Sequence, residues 1–385
     1  MNEIDKAITQ YKKLGTCIKN TDLYAVYNNK NFKYIEAKDN SFHLFFRKYD
    51  GFTAKWGKTP EEDPIYCPFG NEIADIEITK SCAGIRNSQG IANPCPWCYK
   101  SNSQLGDNMS FETFKKIFHK LNESKTMTQI AFGADASLTA NPDTWKIFAY
   151  AKEHDVIPNV TVADISRETA RKIVSLCGAC AVSYYPSIDK NRCYDSVKLL
   201  LDECKQQNKR MAINIHALLA SETIDAIEEL AYDVKNDPRL YGMNAVVFLS
   251  LKQKGRGKFY NQISNEQFSY IIHHYFEEKV PFGMDSCSAN KFINAIENRK
   301  DKNSLMQLIE PCERLLFSAY IDCYGNFYPC SFMEKTGDWE EGINVLNVND
   351  FVKDVWYNEK SVKDRHVSCQ KIFKDGCNSC PYYNI

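Results

Sequence analysis

From about residue 71 onward the chain alternates short β-branched runs with amphipathic stretches of helical length, and this rhythm limits the fold more than any other feature. Candidate strands are Ile73–Thr79, Gln129–Phe132, Asn159–Val162, Ala179–Tyr184, Arg210–His216 and Ala245–Leu251. Between them lie Phe111–Leu121, Pro142–Glu153, Ser166–Leu176, Cys193–Gln207 and Ala220–Val234, with Ser110 and Ser221 placed as N-caps. Strands that alternate with helices imply an α/β fold with a parallel sheet and right-handed crossovers. At roughly 35 residues per unit, a partial (β/α)6 TIM-type barrel fits better than an open doubly wound sheet, and its chemistry belongs at the carboxyl ends of the strands.

The flanks follow other rules. Residues 1–70 read as a helix and a small β-rich extension, with aromatic runs Leu23–Tyr27, Phe32–Ala37 and Phe42–Phe46 and a two-residue hairpin signal at Asp50-Gly51. Residues 71–285 form the expected barrel. Residues 286–385 break the alternation, carry the hairpin-like YIDCYGNFYPC and read as a smaller, cysteine-rich α+β unit.

Charge narrows the function classes. With 48 basic against 49 acidic side chains the net charge is −1, which disfavours a protein that binds nucleic acid by phosphate neutralisation. No apolar run is long enough to span a membrane. The opening MNEIDKAITQYKKLG lacks an apolar core and a small-residue cleavage site, so a cytoplasmic location is the expectation. In a reducing compartment, 16 cysteines point to metal ligands rather than disulfides. Three of them crowd one loop: Cys82 follows the first barrel strand, and Cys95-Pro-Trp-Cys98 comes twelve residues later. Three thiolates leave a fourth position open, which suits an iron–sulfur cluster with one exchangeable iron better than a closed structural zinc. A zinc knuckle with a borrowed ligand and incidental cysteines are the alternatives.

The run EIT-x-x-C at a strand end, followed by C-x-x-C-Tyr, resembles the radical SAM superfamily. The resemblance implies that Cys82, Cys95 and Cys98 hold a 4Fe-4S cluster whose open iron binds S-adenosylmethionine, with Tyr99 beside the cofactor. Reductive cleavage would then release a 5′-deoxyadenosyl radical that abstracts hydrogen from substrate. The common family spacing is C-x3-C-x2-C, whereas here the first gap holds AGIRNSQGIANP, a turn-rich segment that is cheap to loop out. Cys67 is the rival first ligand but precedes the strand. The run Phe132-Gly133-Ala134-Asp135-Ala136 is similar to the family's Gly-Gly-Glu-Pro motif, which implies that Gly133 and Asp135 receive the methionyl amino group; a plain loop is the alternative. Alternation puts Asn214 and His216 on one face of their strand, and with Ser183 they are candidate cofactor or substrate contacts or ordinary polar groups at the barrel mouth. Asp285 faces substrate or caps a turn, and KQKGRGK grips an anion or is a solvated loop.

The second constellation is Cys312, Cys330 and Cys377-Asn-Ser-Cys380, with Gly325 placed to turn a hairpin. Four thiolates make a closed site for a fully ligated cluster or a structural zinc. C-x12-G-x4-C followed by a distant C-x-x-C resembles the twitch domain, the short form of SPASM, and implies one auxiliary 4Fe-4S cluster, hence two clusters in all. Cys287, Cys323 and Cys369 are left over, with Cys369 a possible substitute ligand. Cys177, Cys180, Cys17, Cys67, Cys193 and Cys204 read as buried and inert.

Taken together these resemblances imply a radical SAM enzyme that acts on a peptide or protein side chain and is reduced by a flavodoxin- or ferredoxin-type donor. The N-terminal meander would recognise substrate by strand addition. The alternatives are a small-molecule dehydrogenase acting on an aminoglycoside or nucleoside, an RNA-modifying radical enzyme, and a non-catalytic zinc or iron–sulfur protein.

Overall fold

The computed structural model describes residues 3–310, 312–375, 380 and 382–383. The chain opens with α1 (Glu3–Leu14) and an antiparallel meander of β1 (Thr16–Asn20), β2 (Tyr24–Asn28), β3 (Phe32–Ala37), β4 (His43–Arg47) and β5 (Thr53–Trp56), hydrogen-bonded in that order. Every residue of β3 is buried because both faces of the meander are covered. Tyr11 of α1 stacks on Phe45 with ring centroids 4.5 Å apart, while Ile35, Leu44 and Phe46 pack with Phe69, Leu316 and Phe317. The Asp50-Gly51 hairpin forms, but as a longer loop than the two-residue turn expected: Arg47 N–H bonds Phe52 O and Gly51 N–H bonds Arg47 O. Arg47 also grips Asp50 through two side-chain bonds of 2.8 and 2.6 Å, which holds the wider turn.

The six anticipated barrel strands are present as β6 (Ile73–Glu77), β9 (Gln129–Gly133), β10 (Ile157–Val162), β11 (Ala179–Ser183), β12 (Ala212–Leu219) and β13 (Ala245–Ser250). Two short strands, β7 (Ile85–Arg86) and β8 (Ala92–Asn93), form a separate ribbon between the first two. A seventh parallel strand, β14 (Phe282–Met284), pairs with β13, so six is an undercount. Three residues behind Pro281 are too few to show alternation. Strands β6 and β9 to β14 lie side by side in chain order, the winding of a barrel rather than of a doubly wound sheet. Edge strand β14 is not paired to the opposite edge, so the sheet is open.

Helices α2 (Phe111–Leu121), α3 (Thr144–Glu153), α4 (Arg167–Leu176), α5 (Pro186–Gln206), α6 (Ile224–Asn236) and α7 (Asn265–Glu278) cover the outer face. Ser110 caps α2 by accepting from Thr113 N–H. Ser221 does not cap α6; it opens a 3-10 turn that leads into the helix. Helix α5 starts earlier than expected and is broken at Asp189. Along β12, Ile213, Ile215, Ala217 and Leu219 are fully buried, while Ala212, Asn214, His216 and Leu218 on the other face are partly buried. Among the described residues no helix is long and apolar enough to cross a membrane.

After α8 (Ala289–Ala295) and α9 (Lys302–Met306), β15 (Ser318–Ile321) adds in parallel to the free edge of β6, with Ser318 opposite Ile73 and Ile321 opposite Ile76. Strands β16 (Asn326–Tyr328) and β17 (Ile343–Asn344) extend the sheet antiparallel. Gly325, at φ +86°, turns β15 into β16. Helix α10 (Glu359–Asp375) follows. The C-terminal segment packs into both cores: Phe351, Val355 and Trp356 join the large core between sheet and helices, and Leu316 and Phe317 join the meander. Trp356 is fully buried, donates to Cys67 O at 3.1 Å and stacks under Arg365. Trp356→Ala is therefore expected to cost about 3–5 kcal/mol in urea unfolding, with the meander and the barrel destabilised together rather than in separate transitions.

Candidate functional site

The loop between β6 and α2 answers the spacing question raised by the cysteines. Residues 83–94 do not wander; Ile85 and Arg86 pair antiparallel with Asn93 and Ala92, so the insertion leaves and returns at neighbouring points. Gly84, at φ +90°, is required there, since a Cβ would stand 1.9 Å from Asn93 O. Arg86 fixes the ribbon to the end of β10 by two bonds to Asp164, of 2.7 and 2.9 Å. Ile85 packs with Cys95, Cys98, Ala136 and Ala163. Cys82, Cys95 and Cys98 thus meet at the carboxyl ends of β9, β10 and β11.

The walls of this cluster of thiols come from the following strand ends. Tyr185, just past β11, lies against Cys95 and stacks on Trp97 at 5.1 Å. Burial pushes the Cys95 thiol up to about 12, and burial raises Cys82 as well. The KQKGRGK loop is packed rather than solvated: Lys252 holds the Asp285 carboxylate, and Arg256 braces the cysteine loop. Arg256 donates from Nε to Cys95 O at 2.8 Å and from its backbone to Cys98 O at 3.0 Å. Gly255, at φ +56°, lets that loop approach, for a Cβ would sit 2.4 Å from Tyr99 O and 2.6 Å from Cys98 O.

Behind the third cysteine, Tyr99 packs on Phe332 with centroids 4.5 Å apart, and burial raises its hydroxyl. Lys100 pairs with Glu334, with Tyr320 and, at 3.3 Å, with Glu77; Lys80 reaches Glu334 at 3.0 Å and Glu77 at 3.6 Å. Burial pushes the Glu334 carboxyl up, but these two ammonium groups win and hold it at about 2. Sequence reasoning missed this network. Its only signal was two lysines that flank the cysteine motif.

The remaining anticipated residues are spread around the same rim. Gly133 lies opposite Glu77, its strand partner. Asp135 is buried and already engaged: its carboxylate accepts from Ser137 N–H and Oγ–H, Thr139 N–H and Ala140 N–H, at 2.9 to 3.2 Å. It therefore shapes its own loop beside Cys82. Ser183 and His216 are direct partners across β11 and β12, and Asn214 points to the same side one pleat earlier. Burial lowers the His216 pKa to about 4 against a small opposing pull from Asp285. Asp285 caps the turn Ser286–Ser288 and accepts from Lys252 Nζ at 2.6 Å.

The second constellation gathers at another cavity, lined by Lys252, Cys287, Cys312, Arg314, Cys330 and Cys380 among others. Cys377 lies outside the described residues. Of the leftover cysteines, Cys323 donates to Asp107 O on the far side of its hairpin, and Cys369 lies against the meander core. Cys177, Cys180, Cys193 and Cys67 are buried as anticipated; Cys17 is exposed and Cys204 half-buried. No three His, Cys, Asp or Glu side chains among the described residues are arranged to share one metal ion. A cubane cluster has no such need, because each thiolate binds a different iron.

No family profile matches the sequence, and no curated protein does. Solved structures do match. The fold resembles that of SuiB. SuiB from Streptococcus suis superposes with a TM-score of 0.54 at 12% identity over 77% of this chain and 68% of SuiB. SuiB bound to its precursor peptide SuiA gives a TM-score of 0.60 at 10% identity, over 85% of this chain and 88% of that one. BtrN in complex with AdoMet and 2-DOIA matches more loosely, with a TM-score of 0.38 at 13% identity over 77% and 86%, too low to carry an argument.

Two measurements test this geometry. The unfolded chain binds a proton at His216 near its ordinary 6.5 and the folded chain only near 4. Stability is therefore expected to fall as pH drops from about 6.5 to 4. His216→Asn should flatten that slope in urea unfolding of the metal-free protein at pH 7 and pH 4.5. Gly255→Val should push the bracing loop off Cys98 and lower iron uptake at least severalfold, with the far-UV CD spectrum unchanged.

Proposed function

We propose that this chain is a radical SAM enzyme that acts on a peptide. One observation carries the reading: the β7–β8 ribbon brings Cys95 and Cys98 back near Cys82 beyond the carboxyl ends of a parallel α/β sheet, with Asp135 and Tyr185 beside them. Cys82, Cys95 and Cys98 would hold the cluster, and Tyr99, Gly133, Asp135, Ser183, Asn214 and His216 border the space for S-adenosylmethionine and substrate. When bound, the cluster and S-adenosylmethionine supply a carbon radical that abstracts hydrogen.

The chain's own side chains orient and insulate. Arg256 and Gly255 hold the cysteine backbone, Trp97 and Tyr185 exclude water from Cys95, and Lys80 and Lys100 fix Glu77 beneath the rim. His216 stays neutral at physiological pH, so it offers a hydrogen bond without adding charge. A peptide substrate is supported by the fold likeness to SuiB, whose structure holds its precursor peptide SuiA. The exposed edge strand β1 offers an entry for strand addition. A flavodoxin- or ferredoxin-type protein would supply the electron. A second 4Fe-4S cluster at Cys312, Cys330, Cys377 and Cys380 accompanies the first in this reading, and the three units 1–70, 71–285 and 286–385 divide recognition, radical generation and auxiliary cluster.

The test is iron and sulfide content after anaerobic reconstitution, paired with 5′-deoxyadenosine release under dithionite. The native chain should bind about eight irons and the Cys82/Cys95/Cys98→Ala triple variant about four, with release abolished. Colourless, zinc-containing protein without cleavage would overturn the reading.

A further inference from the structure

We infer that Cys287 is the fourth ligand of the auxiliary cluster, with Cys312, Cys330 and Cys380 and in place of Cys377, so the barrel itself contributes one thiolate to the C-terminal site. The inference rests on the proposed function, and within it assigns a residue outside the twitch-like pattern of Cys312, Cys330, Cys377 and Cys380. Cys287 follows β14 by three residues and lines the same cavity as Cys312, Cys330 and Cys380. These four are drawn from three separate stretches of chain, the β14–α8 corner, the two limbs of the β15–β16 hairpin and the C-terminal segment.

Two observations show that the cavity is built for an anionic group. Arg314 is 4% exposed and lines it with Nε and Nη2 buried and, among the described residues, without a hydrogen-bond partner, while Nη1 is spent on Asp364 at 2.6 Å. Buried guanidinium N–H groups left unpaired are costly. A 4Fe-4S cluster with four thiolates carries net negative charge and exposes sulfide acceptors, which would satisfy them. Lys252, 5% exposed, also lines the cavity, its ammonium shared between Asp285 and the Cys287 thiol.

The position of Cys287 is also fixed, as a ligand's must be. Asp285 accepts from Ser288 N–H at 3.0 Å and Ser288 Oγ–H at 2.5 Å, and its other oxygen takes Lys252 Nζ and Ser250 N–H. That clamp holds the Ser286–Ser288 turn, and Cys287 at its centre, against the end of β13. Cys323 and Cys369, the other leftovers, have no such place at the cavity.

The test uses the Cys82/Cys95/Cys98→Ala background, so that only the auxiliary cluster is read. Iron, sulfide and the EPR spectrum of the reduced protein are measured with and without Cys287→Ala and Cys287→Ser, alongside thermal melting of each metal-free protein. Expected are about four irons in the parent, three or fewer in Cys287→Ala at unchanged melting temperature, and an altered EPR spectrum in Cys287→Ser, where an alkoxide replaces the thiolate. Cys287→Ser serves if the alanine variant melts early. About four irons and the parental spectrum in both variants would overturn the assignment while leaving the proposed function standing. A parent that takes up no iron would overturn both.

Discussion

Strand β6 is shared by everything that the chain does. It accepts β9 on one edge and β15 on the other, both parallel, so two segments some two hundred residues apart in sequence are held to one register. Neighbouring strands stand about 4.8 Å apart, and the loops that leave their ends inherit that proximity. The cysteine loop leaves the carboxyl end of β6, and the hairpin that ends at Cys330 starts from β15 beside it. The Lys80 and Lys100 pairs with Glu77 and Glu334 close the seam, with Glu77 on β6 and Glu334 just beyond Cys330. Buried charges of this kind are tolerable only when each finds a partner, so the network specifies how the two segments meet.

The contacts between the two cysteine sites follow from that seam. Tyr99 extends from Cys98, Phe332 follows Cys330, and the rings pack together at 4.5 Å. Lys254 donates to the carbonyls of Phe332 and Glu334, while its neighbours Gly255 and Arg256 hold the backbone of Cys98. One loop after β13 therefore touches both sites, Lys254 through its side chain and Arg256 through the Cys98 backbone.

Much of the site was legible because the signals were local. Cys95-Pro-Trp-Cys98 is one turn of chain, and the alternation of Asn214 and His216 with Ile213 and Ile215 is a two-residue period that places one pair on the partly buried face and the other on the fully buried one. The twelve-residue gap looked like a departure, yet its turn residues fold into the ribbon that closes it. Asp135 shows the limit of motif reading. An acid at the anticipated place is there, but four hydrogen bonds from the following five residues bind it to its own loop. The KQKGRGK loop was less legible, since its partners are distant in sequence: Asp285 for Lys252, the carbonyls of Phe332 and Glu334 for Lys254, and those of Cys95 and Cys98 for Arg256.

By itself the sequence determined the α/β class, the six principal parallel strands, the three-cysteine loop at a strand end and the Gly325 hairpin. Each follows from periodicity or turn chemistry within a few residues. The tertiary structure alone decided that β14 adds a seventh strand, that β15 completes the edge of β6, that Arg314 is left with unpaired donors and that Cys287 faces Cys312 and Cys330. Those outcomes depend on which distant surfaces bury one another, and the free energy of that burial belongs to no single stretch of chain.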